Sequence, residues 1–278
     1  MSALELAVLV WFGSLAAGFL GSLTGLGGGV VIVPLLTLVF HVDIRYAIGA
    51  SLVSVIASSS GAAAAYVKEG YSNIRVGMFL EIATTIGALT GAWIAIFLRL
   101  SVIAVIFGLV LLYSAYLAFR PPPEHPEAGR PDRIASMLRL DGSFPTANGM
   151  REYRVRNVPS GFSLMYVAGV LSGLLGIGSG AVKVLAMDRA MRLPFKVSTT
   201  TSNFMIGVTA AASAGIYLNR GYIDPGLAMP VMLGVLVGSL AGTYVLARAR
   251  VRILRLVFSA VIAALGIEMI FNGFTGKF

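Results

Sequence analysis

Long apolar stretches separated by short charged segments run the length of the chain. Two of them, 76–98 and 102–119, each come close to the ~20 residues that carry a helix through a hydrocarbon core of ~30 Å. Several such stretches predict a bundle of spanning helices rather than a single anchor. The pattern occurs twice in the same order: an apolar helix, a glycine-rich break, a short apolar helix and three long spans. The first set falls at 4–24, 25–29, 30–40, 45–67, 75–98 and 101–119, and the second at 161–175, 176–180, 181–191, 196–218, 225–247 and 252–272. The first stretch has no charged segment before it and runs directly into a glycine-rich motif, so residue 1 onward is expected to be structure rather than a cleaved leader.

Sliding the chain against itself turns this likeness into a repeat. Residues 18–91 match 169–242 without a gap, with 17 of 74 pairs identical, among them Gly25 with Gly176, Gly27 with Gly178, Gly29 with Gly180 and Ser51 with Ser202. Tyr66 and Gly70-Tyr71 answer Tyr217 and Gly221-Tyr222. The chain reads as a tandem duplication.

Each short helix, with about eleven residues, covers only ~17 Å and cannot cross alone. If it carries on across, the copies are parallel; if it returns to its starting side, they are inverted. Basic loops decide between the two, because they stay in the cytoplasm. The four arginines of 248–255, the basic residues of 189–196 and the seven arginines of 120–160 share one side only in the inverted arrangement, together with 68–75. The weakly charged loops at 41–45, Arg99 and 220–224, and both termini, then lie outside. The expected fold is an all-α polytopic membrane protein made of two inverted-topology repeats. Each repeat is a broken or re-entrant helix pair plus three transmembrane helices: 1–119 the first, 120–160 a cytoplasmic linker, 161–278 the second. Alternation over 136–142 and 153–156 predicts a small hairpin in that linker.

Composition narrows the chemistry. Of 278 residues 57% are hydrophobic and 12% charged, too apolar for a water-soluble domain. Cysteine is absent, and His41 and His125 fall in loops, which leaves no thiolate or buried imidazole for a metal or catalytic site. No metal, cofactor or enzyme activity is expected, since a nucleophile with a base, or a ligand cluster, is missing. The net charge of +9 sits in short blocks between spans, a topology signal rather than a nucleic-acid face.

Glycine is costly inside a helix, and open backbone at membrane depth survives only against protein or a wet cavity. Gly25-Leu26-Gly27-Gly28-Gly29 and Gly176-Ile177-Gly178-Ser179-Gly180 are therefore expected to break helices and expose the amino ends of the helices that follow. Such ends favour anions. No Lys-Ser or Lys-Thr follows to make a nucleotide loop. Lys183, where the first copy has Ile32, lies in the first turn after the second break; it is a counter-charge for an anion, or else it snorkels to the surface. Ser51, Ser202 and Asn203 can donate to oxyanion oxygens, although serine also bonds its own helix carbonyls. Gly27, Gly28, Gly29, Ser51, Gly178, Ser179, Gly180, Lys183, Ser202 and Asn203 make up the candidate substrate site. Glu81 and Glu268 also fall inside spans; a coupled-proton site, pairing to Lys183 and snorkelling are open to either, and pairing or a structural role is favoured because neither has a counterpart in the other copy, where Met232 and Leu117 stand. Gly87 with Gly91 and Gly238 with Gly242 have the spacing of close helix packing.

Gly25-Leu26-Gly27-Gly28-Gly29-Val30-Val31-Ile32-Val33-Pro34 resembles the glycine-rich signature of the TauE/SafE family of sulfite and organosulfonate exporters. The stretch from Ser172 to Gly180 with Lys183, and that from Thr201 to Thr209, are similar to the family's second half. The resemblance implies secondary transport of small sulfur oxyanions or sulfonates, usually outward, across a prokaryotic inner membrane. Ser179 at a usual glycine position, and Leu185 in place of proline, depart from the pattern and imply that the second break is shaped differently from the first. Export also suits the membrane potential, since each expelled negative charge gains roughly 2.3 kcal/mol per 100 mV. No coupling ion is then required, and the lack of a symmetric acid pair fits a uniporter. An anion-selective channel and an intramembrane enzyme are the competing expectations. The implied partners are a small anionic substrate and the lipid bilayer, with no nucleic acid.

Overall fold

The computed structural model describes residues 3–22, 28–68, 70–119, 132–146, 149–246 and 251–276. The chain is a multi-pass α-helical membrane protein. In the first half, helix α1 (Ala3–Ser22) precedes the short α2 (Gly29–Pro34), which continues as one π-helical turn, Leu35–Val39; then come α3 (Ile44–Lys68), α4 (Ile74–Phe97) and α5 (Leu100–Phe119). A small module, α6 (Arg133–Met137) with strands β1 (Gly142–Thr146) and β2 (Gly149–Tyr153), leads into the second half. There α7 (Val158–Leu175), α8 (Gly180–Leu185) with its π turn Ala186–Ala190, α9 (Phe195–Asn219), α10 (Pro225–Leu246) and α11 (Val251–Thr275) follow in the same order. The short helices, the π turns and the α3/α9 pair begin and end 151 residues apart, the offset of the sequence repeat.

Among the described residues, five helices, α1, α4, α5, α7 and α10, are long and apolar enough to cross a membrane. Helices α3 and α9 have 25 residues each but carry more hydroxyls. They pack on each other, and Ser51, Ser54, Ser198, Thr201, Ser202, Thr209 and Ser213 are buried there. A helix surrounded by helices rather than lipid can hold such residues.

The halves interlock. Helix α1 packs on α10 and α7 on α4, so each half's first helix leans on the other half, while α5 packs on its own counterpart α11. Glycines allow the backbones to meet: Gly87 and Gly91 face the carbonyls of Tyr166 and Val170, and Gly234 and Gly238 those of Trp11 and Leu15. These registers make α4 parallel to α7 and α1 parallel to α10. Gly108 faces Ile270 and the Gly266 carbonyl, whereas Gly273 faces Val105 and the Ser101 carbonyl, so α5 and α11 run antiparallel.

Loop contacts sort the two ends of the bundle. At one end Arg45 donates to the carbonyls of Ile96 (3.3 Å) and Leu98 (3.1 Å) and lies over the Tyr222 ring. At the other, the Asn73 amide N–H donates to Thr201 Oγ1 (3.0 Å), and its side chain donates to the Leu140 carbonyl (2.9 Å) and Tyr153 Oη (2.7 Å). Asn157 donates to the Ala190 carbonyl at 3.2 Å, and the Arg156 N–H to that of Met191 at 3.1 Å. The pair α7–α8 thus comes back to the level at which it began.

The module between the halves does contain a hairpin, but its strands lie at 142–146 and 149–153, with Phe144 opposite Arg151. Ser136 and Met137 are helical instead, because Asp132 caps α6: its Oδ1 accepts from the Ile134 N–H at 2.9 Å. Asn148-Gly149 is the stronger turn signal in this stretch. Asp132 Oδ2 also accepts from the Val158 N–H at 3.0 Å, and the Val158 and Ile134 N–H bonds hold its carboxyl below the usual carboxylate range. Burial raises the Tyr153 phenol. Ala135, Leu140 and Val155 close an apolar cluster with Val76, Leu80, Met187 and Val197, tying the module to both halves.

A side chain at Gly173 would reach within 2.0 Å of the Ala88 carbonyl, while nothing lies within 4 Å of one at Gly215. Gly173→Val is expected to cost about 2 kcal/mol or more through overpacking of α4 on α7, and Gly215→Ala to gain about 0.5–1 kcal/mol through helix propensity. Thermal melting of the detergent-solubilised protein measures both, and equal melting temperatures would contradict the packing argument.

Candidate functional site

The second glycine run is a sharp break. Helix α7 ends in Gly176 at φ +68°, Gly178 repeats the left-handed conformation at φ +68°, and Ser179 follows at φ +44° before α8 starts at Gly180. Only glycine adopts this region without cost, so Ser179 requires compensation. Its hydroxyl, buried, donates to the Ala168 carbonyl at 2.6 Å. In the first half the matching residue, Gly28, has right-handed helical angles (φ −65°, ψ −21°). The two breaks therefore differ in shape at this pair. Leu185 and Pro34, by contrast, both sit in right-handed helix leading into a π turn. Gly27 lies outside the described residues.

The breaks meet where α3 crosses α9. A Cβ on Gly29 would come within 2.8 Å of Ser51 Oγ and 3.1 Å of the Gly176 carbonyl, and one on Gly178 within 2.8 Å of Ile206. Ser51 Oγ donates across the interface to the Gly176 carbonyl at 2.7 Å, and Ser202 Oγ donates to the Gly180 carbonyl at 3.3 Å. Each hydroxyl has a single hydrogen. In this conformation the two serines brace open backbone rather than present donors to a guest. Neither short helix has a side-chain cap at its amino end. Gly28, Gly29 and Gly180 are buried there, and Asn203 is half-buried on α9.

Lys183 is fully buried, 0% exposed, which rules out snorkelling in this conformation. Its N–H bonds the Ser179 carbonyl at 3.1 Å, fixing it in the first turn of α8. Its Nζ donates to Thr209 Oγ1 on α9 at 2.5 Å, and Thr209 Oγ1 donates to Glu81 Oε1 on α4 at 2.7 Å. Thr85 Oγ1 donates to the same oxygen at 3.2 Å. The other carboxylate oxygen, Oε2, is buried with no partner among the described residues. A cation, a hydroxyl and an anion from three helices thus form one chain inside the bundle. Of the roles open to Glu81, pairing to Lys183 is the one seen here, through Thr209 rather than directly. Glu268 is exposed on α11, away from this group.

Thr209 is the residue that sequence reasoning missed. It lies seven residues after Ser202, two helical turns on the same face of α9, and that spacing was the available signal. Its counterpart in the first half is Ser58, and those of Lys183 and Glu81 are Ile32 and Met232. The polar chain exists once, not twice.

Residues 10–269 match the family model described as "Sulfite exporter TauE/SafE". The chain belongs to the TauE/SafE family. It is similar to the "Probable membrane transporter protein YunE" of Bacillus subtilis (strain 168), at 26% identity over 97% of this chain and 99% of that one. It is likewise similar to the "Probable membrane transporter protein YdhB" of the same strain, at 27% over 86% and 87%. A third relative is the "Probable membrane transporter protein MJ0441" of Methanocaldococcus jannaschii, at 24% over 96% and 95%. No solved structure matches. A TauE/SafE membership assigns this chain to the membrane transporters, which is what its buried polar interior between apolar helices suits.

Thr209→Val removes the hydroxyl that joins Lys183 to Glu81 while nearly keeping the volume. Leaving both charged groups without this partner is expected to cost about 2–3 kcal/mol, read as a lower melting temperature. Thr199→Val, at a hydroxyl bonded only to its own helix, is the control, expected to stay within about 0.5 kcal/mol of wild type.

Proposed function

We propose that this transporter exports small sulfur oxyanions or organosulfonates, such as sulfite and sulfoacetate-like compounds, across the inner membrane. The observation that carries the reading is Lys183, a fully buried side chain in the first turn of the second interrupted helix. A buried ammonium with hydrogens to donate, beside uncapped helix amino ends, suits a compact anion. The family description names sulfite export, and the relatives' names speak of membrane transport. Gly28 and Gly29 from one half, and Gly178, Ser179 and Gly180 from the other, frame the site, with Lys183 as counter-charge, Ser51 and Ser202 as struts and Asn203 at its edge.

The site is read as lying between inverted halves, 1–119 and 161–278, joined by a cytoplasmic linker at 120–160. Three observations support this. Equivalent helices α5 and α11 run antiparallel. The pair α7–α8 returns to its starting level. The strongly basic loops around Arg75, Arg189 and Lys196 gather at the end that holds the linker module, as a cytoplasmic face requires. Sites at the meeting of broken helices from two such halves are common in secondary transporters.

Two measurements test the reading. Proteoliposomes should release sulfite and sulfoacetate faster than empty vesicles and faster than they release taurine or acetate. Lys183→Ala should lower that flux about tenfold or more, the equivalent of about 1.4 kcal/mol. Equal flux from the variant would remove Lys183 from the site, and release no faster than from empty vesicles would reject the transport of these anions. Because the chain has no cysteine, single cysteines at Arg99 and Arg192 report topology cleanly. An impermeant thiol reagent is expected to reach position 99 from outside and position 192 from the cytoplasm. Labelling of both from one side would overturn the inverted arrangement.

A further inference from the structure

Lys183 and Glu81 together are neutral, and that neutrality sets a condition on any anion that enters. A monoanion arriving beside Lys183 would leave the buried group with a net negative charge, because Glu81 already compensates the lysine. An uncompensated charge in such a place is strongly disfavoured. Lys183 cannot restore balance by losing a proton, since a neutral amine would no longer hold the anion. Glu81 can restore it by gaining one.

We propose that Glu81 is the proton-coupling group of this transporter, so that each bound monoanion brings one proton with it. The inference rests on the anion-transport reading given above. The step balances simply: the anion and a proton from water enter, the ammonium of Lys183 keeps its three hydrogens and passes from Glu81 to the anion, and the Glu81 carboxylate becomes a carboxylic acid. No bond other than the new O–H is made. The structure provides both ends of this exchange. Oε1 of Glu81 is held by Thr209 and Thr85, while Oε2 is buried with no partner among the described residues and is the oxygen free to take the proton. The Lys183 ammonium has three donors and one acceptor, Thr209, among the described residues, which leaves two hydrogens for an oxyanion.

Among the described residues, Lys183 is the charged group that acts on Glu81. Helix α7 offers only the Tyr166 phenol, whose oxygen lies 3.3 Å from Thr90 Oγ1, about two and a half turns along α4 from Glu81. On α9 the ionisable residues are Lys196, over the Tyr71 ring at the end of the bundle, and Tyr217, which donates to the Gly173 carbonyl. The α8 segment and its π turn hold Lys183, Asp188 and Arg189, and Arg75 starts α4 itself. The uniporter expected from the lack of a symmetric acid pair is thereby replaced: one acid suffices, because only one half carries the lysine.

Methanesulfonate is the probe that separates the possibilities, since it remains a monoanion at every pH near neutrality and contributes no proton of its own. Added to the purified protein in weakly buffered detergent solution with a pH indicator, it should cause uptake of about one proton per anion bound. Its affinity should fall by up to about tenfold per pH unit as the pH rises, as linkage requires. Glu81→Gln should bind it with no proton uptake. Infrared difference spectra of wild type should gain a protonated-carboxyl band that shifts on glutamate-specific isotope labelling, a readout that does not depend on the variant folding. Binding without proton uptake, or with no such band, overturns the inference and leaves anion transport standing; uptake that persists in Glu81→Gln overturns it as well. Absence of both binding and flux for sulfite, sulfoacetate and methanesulfonate overturns the transport reading, and the coupling with it.

Discussion

Backbone contact between helices of different halves is the constraint on which the rest of this structure depends. Between apolar helices in lipid there is no water to expel, so close approach and dispersion must supply the attraction. The chain achieves it with glycines on both partners: Gly169 and Gly173 of α7 meet the carbonyls of Thr84 and Ala88, while Gly87 and Gly91 of α4 meet those of Tyr166 and Val170. Helices α1 and α10 repeat the arrangement through Gly18, Gly234 and Gly238. Because α1 leans on α10 and α7 on α4, neither half covers its own first helix. The exchange brings Gly29 beside Ser51 and Gly176, and so unites two interrupted helices at one place.

Interrupted helices create a second demand, since carbonyls and N–H groups released from a helix must find partners. Three serine hydroxyls brace carbonyls at and beside the breaks. Ser51 bonds Gly176, Ser202 bonds Gly180, and Ser179 bonds Ala168. Serines committed to carbonyls shape the site without filling it, and the amino ends of α2 and α8 remain without side-chain caps. The division of labour is physical: hydroxyls hold the backbone at the breaks still, and on the proposed reading the groups left for an anion are amide hydrogens and the Lys183 ammonium.

Much of this was legible in the sequence because duplication prints its own register. The 151-residue offset located the second break, both short helices and the α3/α9 pair, and the Gly87/Gly91 spacing marked a surface that packs. Lys183 stood out because a charge within an apolar run is rare. Other features left weaker traces. The left-handed turn at Ser179 depends on a hydrogen bond to Ala168, eleven residues earlier, which no local pattern encodes. The linker hairpin was displaced because Asp132 caps a helix whose five residues have no visible periodicity. Thr209 was hidden for a different reason: hydroxyls on helices usually bond their own backbone, so a threonine that joins a lysine on α8 to a glutamate on α4 is distinguishable only once three helices are in place.

The asymmetry of the polar chain carries the argument furthest. Duplication supplies two breaks, yet only the second half has a lysine beside its break, and the acid that answers it comes from the first half. In place of a second Lys183 and Glu81 the molecule has Ile32 and Met232, which need no partner. Two such pairs would bury four charges in the membrane interior, and each further ion pair adds desolvation that its own attraction barely repays. One pair keeps the cost low and makes the site neutral when empty. A neutral empty site can reorient through a bilayer without dragging net charge across the membrane potential. On the proposed reading, an anion that enters would have that neutrality restored by a proton, so the charge balance that lets an empty site reorient would also oblige the loaded one to carry a second passenger.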